Sequence, residues 1–224
     1  MCWTAPVSLA LGTAGVVTAA YSHQKGESKY FTIPLLYFSL MEFLQFFSYF
    51  IVDQCTFSAN TTLTFLSLAH MAFQPIFVNM FLLSDMPVLP SVQFRRSIYA
   101  ACLVCTALIF VKLIPLAPAS LCTFGTLCGK MWCTVSGFWH LGWSIPQYTW
   151  PLPVDSFVFY SIAAFGLPLL YGAWKNVLLM VVWGPILAYF LTGGNWNEWP
   201  AVWCLYSVAL ILGVMTIRFV SKKS

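Results

Sequence analysis

The sequence predicts an all-α polytopic membrane bundle of seven transmembrane helices, with the N-terminus outside and the C-terminus inside. Two observations give the class and a third the orientation. Of the 224 residues, 60% are hydrophobic and only 7% are charged, whereas a soluble domain carries roughly 25% charged residues. The charges gather between apolar runs of about 20 residues, the length that a helix rising ~1.5 Å per residue needs to cross a ~30 Å hydrocarbon core. Lys25 and Lys29, then Arg95 and Arg96, then Lys175, then Arg218, Lys222 and Lys223 fall in alternate breaks, and short cytoplasmic segments carry such an excess. The other breaks hold Asp53, Asp155 and Glu198 with a single Lys130. The formal charge of +4 lies at segment ends, so it argues for orientation in a bilayer and against a nucleic-acid partner.

The first span, near 3–21, has no basic region before it and no small-residue cleavage site after it, so it reads as a retained helix rather than a signal peptide. The second and third, near 30–53 and 61–83, are separated by the turn-rich "DQCTFSAN". A fourth near 97–116 follows "SDMPVLPSVQFRR", and Lys112 at its outer end is expected to snorkel or to pair with Asp53 or Asp155. The stretch 117–153 carries Trp132, Trp139, Trp143 and Trp150 with almost no charge. Rings of that kind favour the headgroup region, so it reads as an outer interfacial or re-entrant loop. The last three spans, near 155–173, 176–193 and 200–220, are broken by "GAWKN" and "GGNWNEWP". Pro75, Pro168 and Pro185 fall at mid-depth, and the last two follow a Gly closely, marking kinks or hinges. The whole chain, 1–224, is read as one membrane domain.

Five cysteines, Cys2, Cys55, Cys122, Cys128 and Cys133, map to the outer face, where disulfides are permitted. A Cys2 to Cys55 bridge is expected, with Cys122 pairing to Cys128 or Cys133. Metal binding by Cys122, Cys128, Cys133 and His140 is the sharper alternative, but the gaps match no compact zinc pattern and no metal site is assigned. Cys102, Cys105 and Cys204 read as apolar packing residues. Asn60-Thr61-Thr62 forms a glycosylation sequon against a helix start, where a helix cap is the expected role.

An ionisable group within a span costs at least ~2.5 kcal/mol at the bilayer centre and is a functional candidate by default. Counting from the expected ends puts Glu42 about 17 Å into the second span and His70 about 12 Å into the third, near one depth. A Glu42 to His70 contact is therefore expected. At 100° per residue Glu42, Gln45, Tyr49 and Asp53 share a stripe, as do Ser67, His70 and Gln74. Phe38, Leu35 and Phe31 close the first stripe on the inner side, which suggests a polar cavity open to the outside. The plainer alternative is a polar cluster that holds the second and third helices together.

Helix seven has no lysine for a retinal Schiff base. His70 is the one histidine read at bundle depth, too few for intramembrane zinc or bis-histidine haem, and no phosphate loop or nucleophile elbow is present. No cofactor is assigned. "MCWTAPVSLAL", "YFSLMEFLQFFSYFIVDQC", "LSLAHMAFQPIFVNMF", "LPLLYGAW" and "NEWPAVWCLYS" resemble a family of uncharacterised bacterial multi-pass membrane proteins. Its shared features match Cys2, Trp3, Asp53, Gln54, Cys55, His70, Gln74 and Pro75, and the likeness is weakest over 117–153. The resemblance implies seven spans in a bacterial inner or plasma membrane and supplies no activity. The function expected is binding or transport of a small solute or protons at a buried site open to the outside. The alternatives are a non-catalytic subunit or assembly factor with membrane-protein partners, and an enzyme using Glu42 and His70 as an acid and base pair.

Overall fold

Helix α1 (Ala5–Gln24) buries one narrow face of small residues, Ser8, Gly12, Gly15, Ala19 and Ser22, and that face brings its backbone close to α2 (Lys29–Ser48). A Cβ on Gly15 would lie 1.9 Å from Ser39 Oγ, and one on Gly12 would lie 3.1 Å from the Phe43 ring. Ser28 opens α2 by accepting from Tyr30 N. The computed structural model describes residues 4–206 apart from 87, 117–119, 123, 124 and 151, together with 208 and 213. Cys2, Trp3, Arg218, Lys222 and Lys223 lie outside the described residues.

Helix α2 packs between α1 and the long α3 (Ser58–Ser84). It ends five residues before the expected Asp53, which instead turns the chain at φ 64°, a conformation Asp tolerates better than most residues. Helix α4 (Val92–Val111) starts five residues earlier than expected, because Ser91 accepts from Phe94 N and the apolar periodicity runs through Arg95 and Arg96. The Arg95 guanidinium lies 5.8 Å from the Tyr30 ring centroid.

Helices α5 (Ser156–Leu170) and α6 (Trp174–Leu191) each contain a π-helical turn, Ile162–Gly166 and Val182–Ile186. The expected proline distortions thus take a specific form: wider turns beside Pro168 and at Pro185. Asn79 on α3 donates to the Ala163 carbonyl within the first of these turns at 2.9 Å, and accepts from Tyr171 Oη at 2.9 Å. In the second turn Gly184 supports the Trp203 ring, since a Cβ there would be 2.1 Å from Trp203 Cε3. The last helix, α7, runs from 199 and is described to 206.

Helix makes up 66% of the structure. Among the described residues, α1, α2, α3, α4 and α6 are long and apolar enough to cross a membrane, and α5 is a shorter apolar helix.

Within the stretch 120–150 the described residues add a β element to an otherwise helical chain. Strands β1 (Cys133–Ser136) and β2 (Leu141–Ser144) form an antiparallel hairpin with Thr134 opposite Trp143. Cys55 is bonded to Cys133, so the expected Cys2 to Cys55 bridge does not form. Cys122 is bonded to Cys128, which removes the thiolates that a metal site with His140 would need. Cys102, Cys105 and Cys204 are buried free thiols. Asn60 neither caps a helix nor faces solvent: its side chain donates to Ile51 O and Thr134 O and accepts from Thr134 N. These bonds bind the hairpin to α3. The disulfides and the hairpin lie at one end of the bundle, and Lys25, Lys29, Arg95, Arg96 and Lys175 belong to the other.

Candidate functional site

The stripe expected on α2 exists, and it runs from a buried carboxyl to an exposed one. Glu42, Gln45 and Ser48 are fully buried, Tyr49 is half-buried and Asp53 is exposed. At the exposed end Asp53 accepts from Ser136 N at 2.8 Å and from Ser136 Oγ at 2.5 Å. It therefore ties the hairpin down rather than lining an open mouth.

The histidine that joins this stripe is His140, from the hairpin turn, and not His70. Its Nε2 lies 2.9 Å from Gln45 Oε1 and its Nδ1 lies 2.7 Å from Tyr49 Oη. An amide oxygen only accepts, so Nε2 donates, and Nδ1 accepts from the tyrosine. Gln45 passes the chain on by donating from Nε2 to Ala201 O at 3.2 Å. Burial pushes His140 down to about 3, so the ring is neutral at ordinary pH. It is held from behind by Glu198, a buried carboxylate that accepts from the backbone N–H of Phe138, Trp139 and His140 at 2.6, 2.8 and 2.9 Å and from Asn195 Nδ2 at 2.7 Å. Gly137 makes room for that carboxylate: a Cβ there would be 2.1 Å from Glu198 Cδ. The hairpin is thus seated where the cavity was expected to open.

His70 sits elsewhere. Its Nε2 is 2.8 Å from Tyr37 O, Tyr37 Oη donates to His70 O at 2.6 Å, and the two rings stack at 4.0 Å. The other face of Tyr37 stacks on Phe77 at 3.7 Å. Glu42 is six residues from the end of α2 and His70 twelve from the start of α3, or about 9 and about 18 Å deep. The early end of α2 is what moved Glu42 off the expected level. No hydrogen bond joins them, because neither Glu42 oxygen has a hydrogen-bond partner. Glu42 faces α1 instead, with Gly12 against its Cβ and Ser8 the hydroxyl beside its carboxyl, though that pair lacks the geometry of a formed bond. Tyr49 and Cys204 are within its electrostatic reach.

On α3, Ser67 is buried with its hydroxyl unpartnered. Gln74 accepts from Tyr160 Oη at 2.8 Å and donates to Cys204 Sγ at 3.1 Å, and Trp203 Nε1 donates to Tyr160 Oη at 2.6 Å. Pro75 lies within α3, where Asn79 Nδ2 donates to its carbonyl at 2.8 Å. Lys112 reaches Leu152 O at 3.0 Å rather than a carboxylate. Among the described residues no group of three or more His, Cys, Asp or Glu side chains is placed to hold a metal ion.

Sequence reasoning missed His140, Asn79, Ser8, Tyr160 and Cys204 as members of the polar interior. Asn79 was legible as an amide inside an apolar run. The other four depend on which distant segments meet. A family model described as a family of unknown function (DUF5765) matches residues 6–223. No curated protein and no solved structure matches the chain.

Proposed function

We propose, for a chain that belongs to that family of unknown function, a seven-span membrane protein that binds a proton at Glu42 and couples it to movement of a small solute. The observation that carries this reading is the carboxyl itself: fully buried, with both oxygens lacking a hydrogen-bond partner. A carboxylate left so would cost several kcal/mol or more, and a bound proton removes that cost. Glu198 is the contrast, buried but with four N–H donors around it.

Topology is supported from two independent directions. Basic residues gather at one end, and the two disulfides, which belong to an oxidising compartment, lie at the other. The N-terminus and the hairpin are then outside and the C-terminus inside. Reporter fusions after Ser224 and beside Cys128 should report opposite sides.

Proton flux into vesicles containing the purified protein, read by an entrapped pH dye, tests the site. Glu42→Gln should abolish flux while leaving both disulfides formed. Flux equal to that of the wild type would remove the reading. The outer half of the stripe favours a second role, helix glue, because both His140 ring nitrogens are hydrogen-bonded there and the Gln45 amide both accepts and donates.

A further inference from the structure

A cavity of about 310 Å³ opens between the end of α3 and the turn that joins α5 to α6. A single water needs only roughly 10–15 Å³ of such space, so a group of many atoms fits. Leu82, Asp85 and Met86 line it from the α3 side, and the turn supplies Tyr171, Trp174 and Lys175. Tyr171 closes it toward the core, since this residue is 8% exposed and its Oη donates to Asn79.

The two sides carry opposite charge. On the turn, Lys175 Nζ lies 5.5 Å from the Trp174 ring centroid, so the ammonium is held against a residue that lines the cavity. Ala173, the residue before α6, gives no side-chain bond to the first turn of that helix, and the turn contains no acidic residue. The leading N–H groups of a helix have no partners within it and favour an anion. The α3 side is the mirror of this: the last carbonyls of a helix favour a cation, and Asp85 adds a carboxylate there. A carboxylate offers about four lone-pair sites, so Asp85 can accept from a ligand amine alongside any bond it makes within the chain. A ligand that suits both sides carries an anion and an ammonium a few bonds apart.

Position decides the source of such a ligand. Lys175 belongs to the inner end of the bundle, and Trp174 beside it is 57% exposed, as rings at headgroup level are. Leu169 and Leu170, which end α5 just before the turn, are exposed as well, and they continue the rim as apolar surface. Acyl chains cover that surface, and a soluble zwitterion does not.

We propose that this cavity takes the headgroup of an inner-leaflet aminophospholipid, with its phosphate against Lys175 and the first turn of α6 and its primary ammonium donating to Asp85. The proposal rests on the membrane-spanning part of the reading above and is independent of Glu42. A choline headgroup has the same charges but no N–H to donate, so it isolates the bond to Asp85.

The test places the full chain in nanodiscs with equal amounts of phosphatidylethanolamine and phosphatidylcholine of matched chains, and identifies the retained lipid by native mass spectrometry. The wild type should retain the ethanolamine lipid over the choline lipid by about two- to fivefold, the ratio that an exposed charged pair supports. Asp85→Asn should retain lipid without preference. Lys175→Gln should retain less of both lipids, and Lys25→Gln, at the same end of the bundle, should match the wild type; non-reducing peptide mapping of each variant should recover both disulfides. Free phosphoethanolamine, added to the protein in discs of phosphatidylcholine alone, should leave no bound mass. Equal retention of the two lipids by the wild type, an unchanged preference in Asp85→Asn, or unchanged retention in Lys175→Gln overturns the proposal alone. Bound phosphoethanolamine together with equal retention of the two lipids places a soluble group in the cavity and overturns the lipid. Failure of the wild type to enter nanodiscs overturns the membrane reading and the proposal with it.

Discussion

Replacing Glu198 with Gln tests what holds His140 in the bundle. Oε1 accepts from Phe138 N and Asn195 Nδ2, and Oε2 accepts from Trp139 N and His140 N. A glutamine keeps the shape but turns one of these oxygens into an amino group. Whichever way the amide is set, two donors then face a third donor, so two charge-assisted bonds are lost at once. At ~1.5–3 kcal/mol each, the hairpin turn should be loosened by about 3–6 kcal/mol. Amide hydrogen exchange of residues 138–140 reads this directly. A tenfold change corresponds to ~1.4 kcal/mol, so exchange in the variant should accelerate by about 100-fold or more, while the amides of α2 change little. An acceleration below about threefold would show that the carboxylate is not the anchor and that the hairpin is held by Asn60 and the Cys55–Cys133 bond alone.

Acid should weaken the fold through His140. Its folded value is depressed to about 3 from ~6.5 when unfolded, so its contribution is complete above ~6.5 and is lost as pH falls toward 3. Between pH 6.5 and 5 that amounts to about 2 kcal/mol, seen as a drop in unfolding midpoint that His140→Gln should lack. Asn79→Leu leaves Tyr171 Oη and the Ala163 carbonyl without partners, and denaturant unfolding should show a loss of about 2–4 kcal/mol. Non-reducing peptide mapping should recover Cys55 with Cys133 and Cys122 with Cys128, and Cys102, Cys105 and Cys204 as thiols; removing the first bridge should lower stability by about 2–4 kcal/mol.

Local pattern was enough to place most of the described apolar helices and to put Glu42 and Gln45 on the buried face of the second, with Tyr49 and Asp53 just past its end. It was not enough for their depth, because Asp53 at positive φ ends the stripe in a turn that hydropathy alone reads as helix. The role of His140 was hidden for a different reason. Its partners Gln45 and Tyr49 are 95 and 91 residues away, and a long charge-poor loop carries no periodic signal of where it folds back. One cysteine pairing failed likewise: Cys122 does bond Cys128, one of the two partners expected for it, but Cys2 and Cys55 were matched by the ends of their helices, whereas Thr134, locked to Asn60, brings Cys133 to Cys55. Pro168 and Pro185 announced distortions, and the neighbouring Gly166 and Gly184 announced where, but the π-helical form depends on Asn79 and Trp203 from other helices.

The spacing of the cysteines sets an order of events during synthesis. Cys55 must wait for a partner 78 residues later, about 4–16 s at ~5–20 residues per second, and Cys122 and Cys128 emerge before that partner does. These two are only six residues apart, so they can close on each other as soon as both meet an oxidant. If they do so first, the waiting thiol meets Cys133 as its next available partner, and the short bridge acts as a guard on the long one. A chain with Cys122 and Cys128 replaced by Ser should still form the long bridge, whereas replacing only Cys128 leaves Cys122 to compete for Cys55 and should trap a mispaired fraction.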